Sequence, residues 1–274
     1  KEVYKERREA FFVYIIYDRI KYMKTLVVAN WKCNPASLKE AKALFEKIKK
    51  KVIRRLAKKK TEVVICPPFV YLPAVAQGVS GLALGAQNCF WEEKGAFTGE
   101  VSALQLRDLK IDYVIVGHSE RRKYFNETDV QINKKIKRAL LAKLKVILCI
   151  GENKEEWKSG KRAEVLEKQI TEDLKGITSK EIKNIVIAYE PVWAIGTGNN
   201  CSVDETMSSV LFIRKVVSRL YNRRIADSMR ILYGGSVKSD NSAFYVKSAR
   251  TNGLLVGGAS LSAEEFIKIV RSVE

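Results

Sequence analysis

Eight short apolar runs punctuate this chain, and longer amphipathic stretches separate them. The runs fall at residues 25–29, 62–66, 82–86, 112–116, 145–150, 185–189, 230–233 and 253–256. They are apolar at successive positions, the pattern of parallel strands covered on both faces rather than of half-exposed ones. Between them, segments such as 129–144 and 204–221 repeat apolar residues at helical spacing. Strand–helix alternation on this scale builds parallel βαβ units, and eight of them predict closure into a (β/α)8 barrel of the α/β class. No linker or compositional break divides the chain after Met23, so a single domain is predicted over residues 23–274. Counted from Met23, the length matches the ~250 residues typical of such a barrel.

Residues 1–22 look foreign to this pattern. Phe11-Phe12-Val13-Tyr14-Ile15-Ile16-Tyr17 follows a mixed-charge start and is closed by Asp18 and Arg19. The run is at the short limit for a signal sequence, and no small-residue cleavage site follows it. We expect an upstream extension or a loosely attached helix, with Met23 as a start site. No apolar run approaches the ~18 residues of a membrane span. The cysteines Cys33, Cys66, Cys89, Cys149 and Cys201 are scattered and lack CxxC spacing. That argues against a disulfide framework or a zinc site and for a reducing cytoplasm.

The 50 basic residues against 31 acidic ones give a formal charge of +19. A polyanion-binding barrel without catalysis, or one that binds a protein partner, is the alternative this charge raises. The densest stretch, residues 47–60, holds nine basic residues among fourteen. Yet Ala41, Phe45, Ile48 and Val52 recur through the same region at helical spacing, which makes the lysines a solvated outer face and argues against nucleic acid as a partner. An open nucleotide-binding sheet would need GxGxxG after its first strand, where this chain has Ala29-Asn30-Trp31-Lys32.

In a barrel, the C-terminal ends of all strands converge on one face, where chemistry belongs. The residues just past the predicted strands therefore assemble a candidate site. Lys32, in Asn30-Trp31-Lys32, would need an anionic partner if it were removed from water, and a phosphorylated substrate would supply one. His118 is the only histidine. A lone histidine is more often structural, but one at a strand end beside Glu120 and Arg121 is placed to exchange protons near neutral pH. Glu190 closes the apolar strand 185–189 and precedes Pro191; it is either a loop anchor or a partly desolvated carboxylate base. Gly234-Gly235-Ser236 and Gly257-Gly258 read singly as tight turns, and together as a phosphate cradle of backbone N–H groups.

These segments carry a resemblance. Asn30-Trp31-Lys32, Gly117-His118-Ser119-Glu120-Arg121-Arg122, the eleven residues Ala188 to Gly198 and Tyr233-Gly234-Gly235-Ser236-Val237 are similar, in order, to the hallmark segments of the triosephosphate isomerase family. Residues 94–100 resemble its third loop. The resemblance implies a TIM barrel that interconverts dihydroxyacetone phosphate and D-glyceraldehyde 3-phosphate without a cofactor or metal. It assigns Glu190 as the base and neutral His118 as the electrophile and proton shuttle, the division for which this enzyme family is the standard example. By the same resemblance Lys32 stabilises the oxyanion, Asn30 places the substrate and Glu120 orients the network. Gly196, Ser236, Gly257 and Gly258 would hold the phosphate. Residues 191–201 would form a closing lid whose far hinge, Asn199-Asn200-Cys201, departs from the family's usual lysine followed by small residues. Thr98 would reach a second subunit of a homodimer, with Glu100 and Arg121 as a supporting ion pair.

Overall fold

A computed structural model describes residues 23–56, 61–79, 81–195 and 200–274. Eight strands form a closed parallel barrel in sequence order: β1 (Thr25–Asn30), β2 (Thr61–Cys66), β3 (Ala83–Ala86), β4 (Tyr113–Val116), β5 (Lys145–Ile150), β6 (Ile185–Tyr189), β7 (Ile231–Tyr233) and β8 (Gly253–Val256). The helices outside it are α1 (Leu38–Leu56), α2 (Leu72–Ala76), α3 (Ala103–Asp108), α4 (Ser119–Tyr124), α5 (Asp129–Leu141), α6 (Lys154–Lys158), α7 (Arg162–Asp173), α8 (Val203–Leu220), α9 (Arg223–Ser228), α10 (Ser242–Lys247) and α11 (Ala263–Ser272). The barrel predicted from the alternation of runs is the one observed. No helix among the described residues is long and apolar enough to cross a membrane.

The burial of successive residues has a simple cause in the strand pleat. Leu26 and Val28 of β1, Val64 of β2, Ile115 of β4, Ile147 of β5 and Val186 of β6 point inward and fill the barrel. Their neighbours, Val27, Ala29, Val63, Val114 and Ile187, point outward into the layer beneath the helices. Both faces of each strand are therefore dry, so no polar alternation is needed. On α1, Ala41, Phe45, Ile48 and Val52 are all buried, while Lys42, Lys47, Lys50 and Lys51 are exposed. The lysine-rich stretch is a solvated helix face as far as Lys51; residues 57–60 lie outside the described residues.

Closure depends on one backbone approach. β8 pairs with β1 from Leu26↔Gly253 to Ala29↔Val256. Gly253 sits at φ +150°, and a Cβ there would lie 1.8 Å from the Leu26 carbonyl oxygen. Only glycine allows the last strand to meet the first at this point.

The helices start where capping chemistry sets them. Ser102, Thr128, Asn153 and Ser202 each accept a backbone N–H while the side chain three residues on reaches back, forming capping boxes for α3, α5, α6 and α8. The bounds of β5, β6 and β8 are as predicted, and the other elements differ by one to three residues at one end or both. The segment predicted as 129–144 stops at Leu141, because Lys143 turns to φ +63° to feed β5. Residues 1–22, the expected extension, lie outside the described residues.

Candidate active site

The mouth formed by the C-terminal strand ends holds a cavity of 380 Å³ whose lining includes Asn30, Lys32, His118, Glu190, Ser236, Gly257 and Gly258. Residues up to 228 positions apart in the chain thus share one wall, because parallel strands in a barrel all end on the same side.

β1 ends at Asn30, and the chain turns at once: Lys32 adopts φ +53°, a left-handed conformation that costs a lysine energy. Two hydrogen bonds hold it there. The Lys32 N–H donates to Asn30 Oδ1 at 3.1 Å, and Gln87 Nε2 donates to the Lys32 carbonyl at 2.9 Å and to that of Cys66 at 2.9 Å. The turn sends the Lys32 ammonium to Glu120 Oε1 at 2.6 Å. Its side chain keeps 28% of its accessible surface. A phosphate is the partner predicted for this lysine. In the chain by itself a carboxylate fills that role, and the side chain remains partly wet.

β4 ends in a tight turn at Gly117, after which His118 becomes the N-cap of α4. Its ring Nδ1 accepts the Glu120 backbone N–H at 3.2 Å. A nitrogen that accepts a hydrogen bond carries no proton, so the proton of the neutral ring is on Nε2. Nε2 lies 3.1 Å from Glu190 Oε1. The other Glu190 oxygen, Oε2, accepts the Ser119 N–H at 2.9 Å. His118 and Glu190 are both buried, with Nδ1 and Oε2 hydrogen-bonded to main-chain N–H groups and Nε2 and Oε1 facing each other. Arg122 anchors the same loop, donating from Nε to the Gly117 carbonyl at 3.0 Å and pairing with Asp173 at 2.8 Å.

β6 delivers Glu190, whose N–H donates to the Ile150 carbonyl at 2.8 Å. The segment after it is pinned from below by Glu152. Glu152 Oε1 accepts from Tyr189 Oη at 3.0 Å and from Trp193 Nε1 at 2.9 Å, and Trp193 stacks on Trp157 with ring centroids 4.5 Å apart. Burial raises the Glu152 carboxyl above its ordinary 4.5, against the lowering by these donors. The far hinge is held as well: Tyr245 Oη donates to the Cys201 carbonyl at 2.8 Å while its ring stacks on Tyr233 at 3.7 Å. Gly196 and residues 197–199 lie outside the described residues.

The opposite wall is glycine-lined. A Cβ on Gly234 would lie 3.0 Å from Glu190 Cγ, and one on Gly257 would lie 3.3 Å from Lys32 Cε. The base and the cation therefore stand at the two glycine turns, and a side chain at either would press on them. Cys149 sits inside the barrel, where burial and then the nearby Glu190 charge push its thiol well up; it is a packing group.

Every sequence-predicted site residue among those described lines this cavity or bonds to a residue that does, except Thr98. Thr98 lies on an exposed loop, residues 93–100, beside Phe97, which is 43% exposed and packs on Phe90. Within the chain Arg121 pairs with Glu127 at 3.1 Å instead of with Glu100. Sequence reasoning missed Gln87, Ser119 and Glu152. Gln87 and Glu152 lie just past β3 and β5, so reading all eight strand ends would have found them. Ser119 acts through its backbone N–H, which no side-chain pattern reveals.

Comparison with known proteins agrees with this geometry. A family model described as triosephosphate isomerase matches residues 25–273. A triosephosphate isomerase from Alkaliphilus oremlandii is 46% identical over 249 residues, which cover 90% of this chain and 98% of the relative. Those from Caldanaerobacter subterraneus and Clostridium perfringens are 45% and 46% identical, over 90% of this chain and 98% and 99% of their own lengths.

Proposed function

This chain belongs to the triosephosphate isomerase family, and from that premise we propose how its residues divide the work. The reaction interconverts dihydroxyacetone phosphate and D-glyceraldehyde 3-phosphate, a step of glycolysis and gluconeogenesis, by moving a proton between adjacent carbons through an enediolate.

Glu190 is the base. Its carboxylate removes the proton from the carbon beside the carbonyl and returns it to the neighbouring carbon. His118 Nε2 stands 3.1 Å from Glu190 Oε1; on substrate binding the substrate oxygens become the acceptors of its N–H. The neutral ring then polarises the carbonyl and carries a proton between the two oxygens. Lys32 stabilises the developing oxyanion. Asn30 places the substrate oxygens. Glu120 positions both helpers, through its N–H to His118 Nδ1 and its carboxylate to Lys32. The phosphate binds at Ser236, Gly257 and Gly258 with Gly196 of the lid. Closure of residues 191–201 excludes water, which protects an enediolate phosphate from losing its phosphate.

The observation that carries this reading is the His118 Nε2–Glu190 Oε1 contact on the wall of a cavity that also holds Lys32. A coupled isomerase assay tests it: His118→Gln lowers kcat far more than it raises KM, and near-wild-type turnover in that variant removes the assignment.

The working unit is a homodimer, with the exposed Thr98 loop entering its neighbour; an exposed Phe97 beside it is a further reason for burial there. Sedimentation at micromolar concentration decides, with a monomer as the refuting result. Five free thiols, four of them buried, suit a reducing cytoplasm. Residues 23–274 form the catalytic domain, with residues 1–22 an extension ahead of it.

A further inference from the structure

The face opposite the catalytic mouth holds a second cavity, of 750 Å³, about twice the volume of the first. Its walls are the N-terminal ends of three neighbouring strands. Lys145 opens β5, Lys183 and Asn184 precede β6, and Arg230 precedes β7; Arg224 of α9 closes one side. Four cations line this cavity and no carboxylate does.

Two of the four are held in place by the fold. Arg230 Nη1 donates to Glu62 Oε2 at 2.7 Å and its Nη2 to Tyr113 Oη at 3.0 Å, while Tyr113 Oη donates to Glu62 Oε1 at 2.6 Å. Lys145 Nζ approaches the same Tyr113 hydroxyl at 3.4 Å and Glu62 at 3.9 Å. One carboxylate thus faces two cations. Lys183 and Arg224 have no carboxylate partner among the described residues. Like charges gathered in a concavity repel one another, and low-dielectric walls focus their field on the space between them. Neither effect helps the fold; both favour a multiply charged anion. Guanidinium groups add planar donor pairs that match phosphate oxygens.

We propose that this cavity is an anion site for a short condensed phosphate, separate from the catalytic cavity by the length of the barrel strands, roughly 20 Å. Four cations against Glu62 leave a net positive charge that a condensed phosphate, with about three or more negative charges near neutral pH, offsets in full and a single phosphate, with fewer than about two, does not. The bounded, concave shape suits a compact anion, and the site uses part of the +19 charge for which the isomerase chemistry has no need.

Calorimetric titration of the full chain with inorganic triphosphate tests the proposal, in about 50 mM salt so that screening is weak. Saturating glycerol 3-phosphate keeps the catalytic cavity occupied. The expected result is one equivalent bound per chain, weakened about tenfold or more in Lys183→Glu/Arg224→Glu with isomerase turnover unchanged. The same charge change on the far helix face, Lys42→Glu/Lys50→Glu, leaves binding in place. Absence of binding, several weak equivalents, or equal weakening in both double variants overturns the proposal, because each marks general attraction to a basic protein or none at all.

Discussion

Shortening the base by one methylene is the sharpest perturbation the site offers. Glu190 Oε1 meets His118 at 3.1 Å and Oε2 meets the Ser119 N–H at 2.9 Å. In Glu190→Asp the carboxylate retreats by one carbon–carbon bond, about 1.5 Å. The backbone cannot advance to compensate. Its N–H is bonded to Ile150 at 2.8 Å, Pro191 follows, and the Val192 N–H is bonded to the Glu152 carbonyl at 3.0 Å. Both contacts therefore stretch beyond hydrogen-bond range. A base misplaced by about 1 Å costs about 100-fold in rate, or about 2.7 kcal/mol of barrier. Steady-state kinetics in both directions should give a kcat reduced about 100-fold or more, with KM changed less than about threefold. A circular-dichroism melt checks that the variant is folded. A folded variant with kcat within about threefold of wild type, or with its whole loss in KM, refutes the claim that Glu190 acts by its reach.

Three further predictions concern the scaffold. Gly253→Ala puts a methyl 1.8 Å from the Leu26 carbonyl and should cost more than about 3 kcal/mol in chemical denaturation, or abolish folding; a wild-type midpoint would remove the closure argument. Glu127 is buried between Lys135 and Arg121. Burial raises its carboxyl, but those two cations outweigh it and hold the group below its ordinary 4.5. Its stabilisation is thus complete above about pH 4.5 and is lost as the pH falls through the folded-state value. Glu127→Gln should cost about 3–5 kcal/mol at pH 7, because Lys135 is left buried without its counter-charge, and the gap to wild type should narrow in acid; a pH-independent gap refutes the ion-pair account. Tyr245→Phe frees the Cys201 carbonyl and should cost about 0.5–1.5 kcal/mol while changing lid kinetics more than chemistry; unaltered stability and viscosity dependence of kcat would show the bond to be idle.

The residues legible in advance are those whose side chains do the work at a strand end. Glu190, His118 and Lys32 stand there because any parallel barrel brings such ends together, so alternation and position sufficed. The eight strands were legible because both faces of each are dry, as Val27 and Val28 on opposite sides of β1 illustrate. The partners that hold the chemistry were less so. Glu120 had a family role, but its ion pair with Lys32 follows from the positive φ of Lys32, a three-dimensional consequence of Gln87 gripping the turn. Ser119 contributes only main chain. The Tyr245–Cys201 clamp joins α10 to the lid hinge across 44 residues, and neither residue type announces it.

The most direct test is of the hydrogen itself. The purified chain, given dihydroxyacetone phosphate in D2O, should form glyceraldehyde 3-phosphate that carries deuterium on the carbon beside the carbonyl, read by proton NMR, and Glu190→Gln should all but stop its formation. Product that forms as fast without the carboxylate would contradict proton transfer by Glu190 at the barrel mouth.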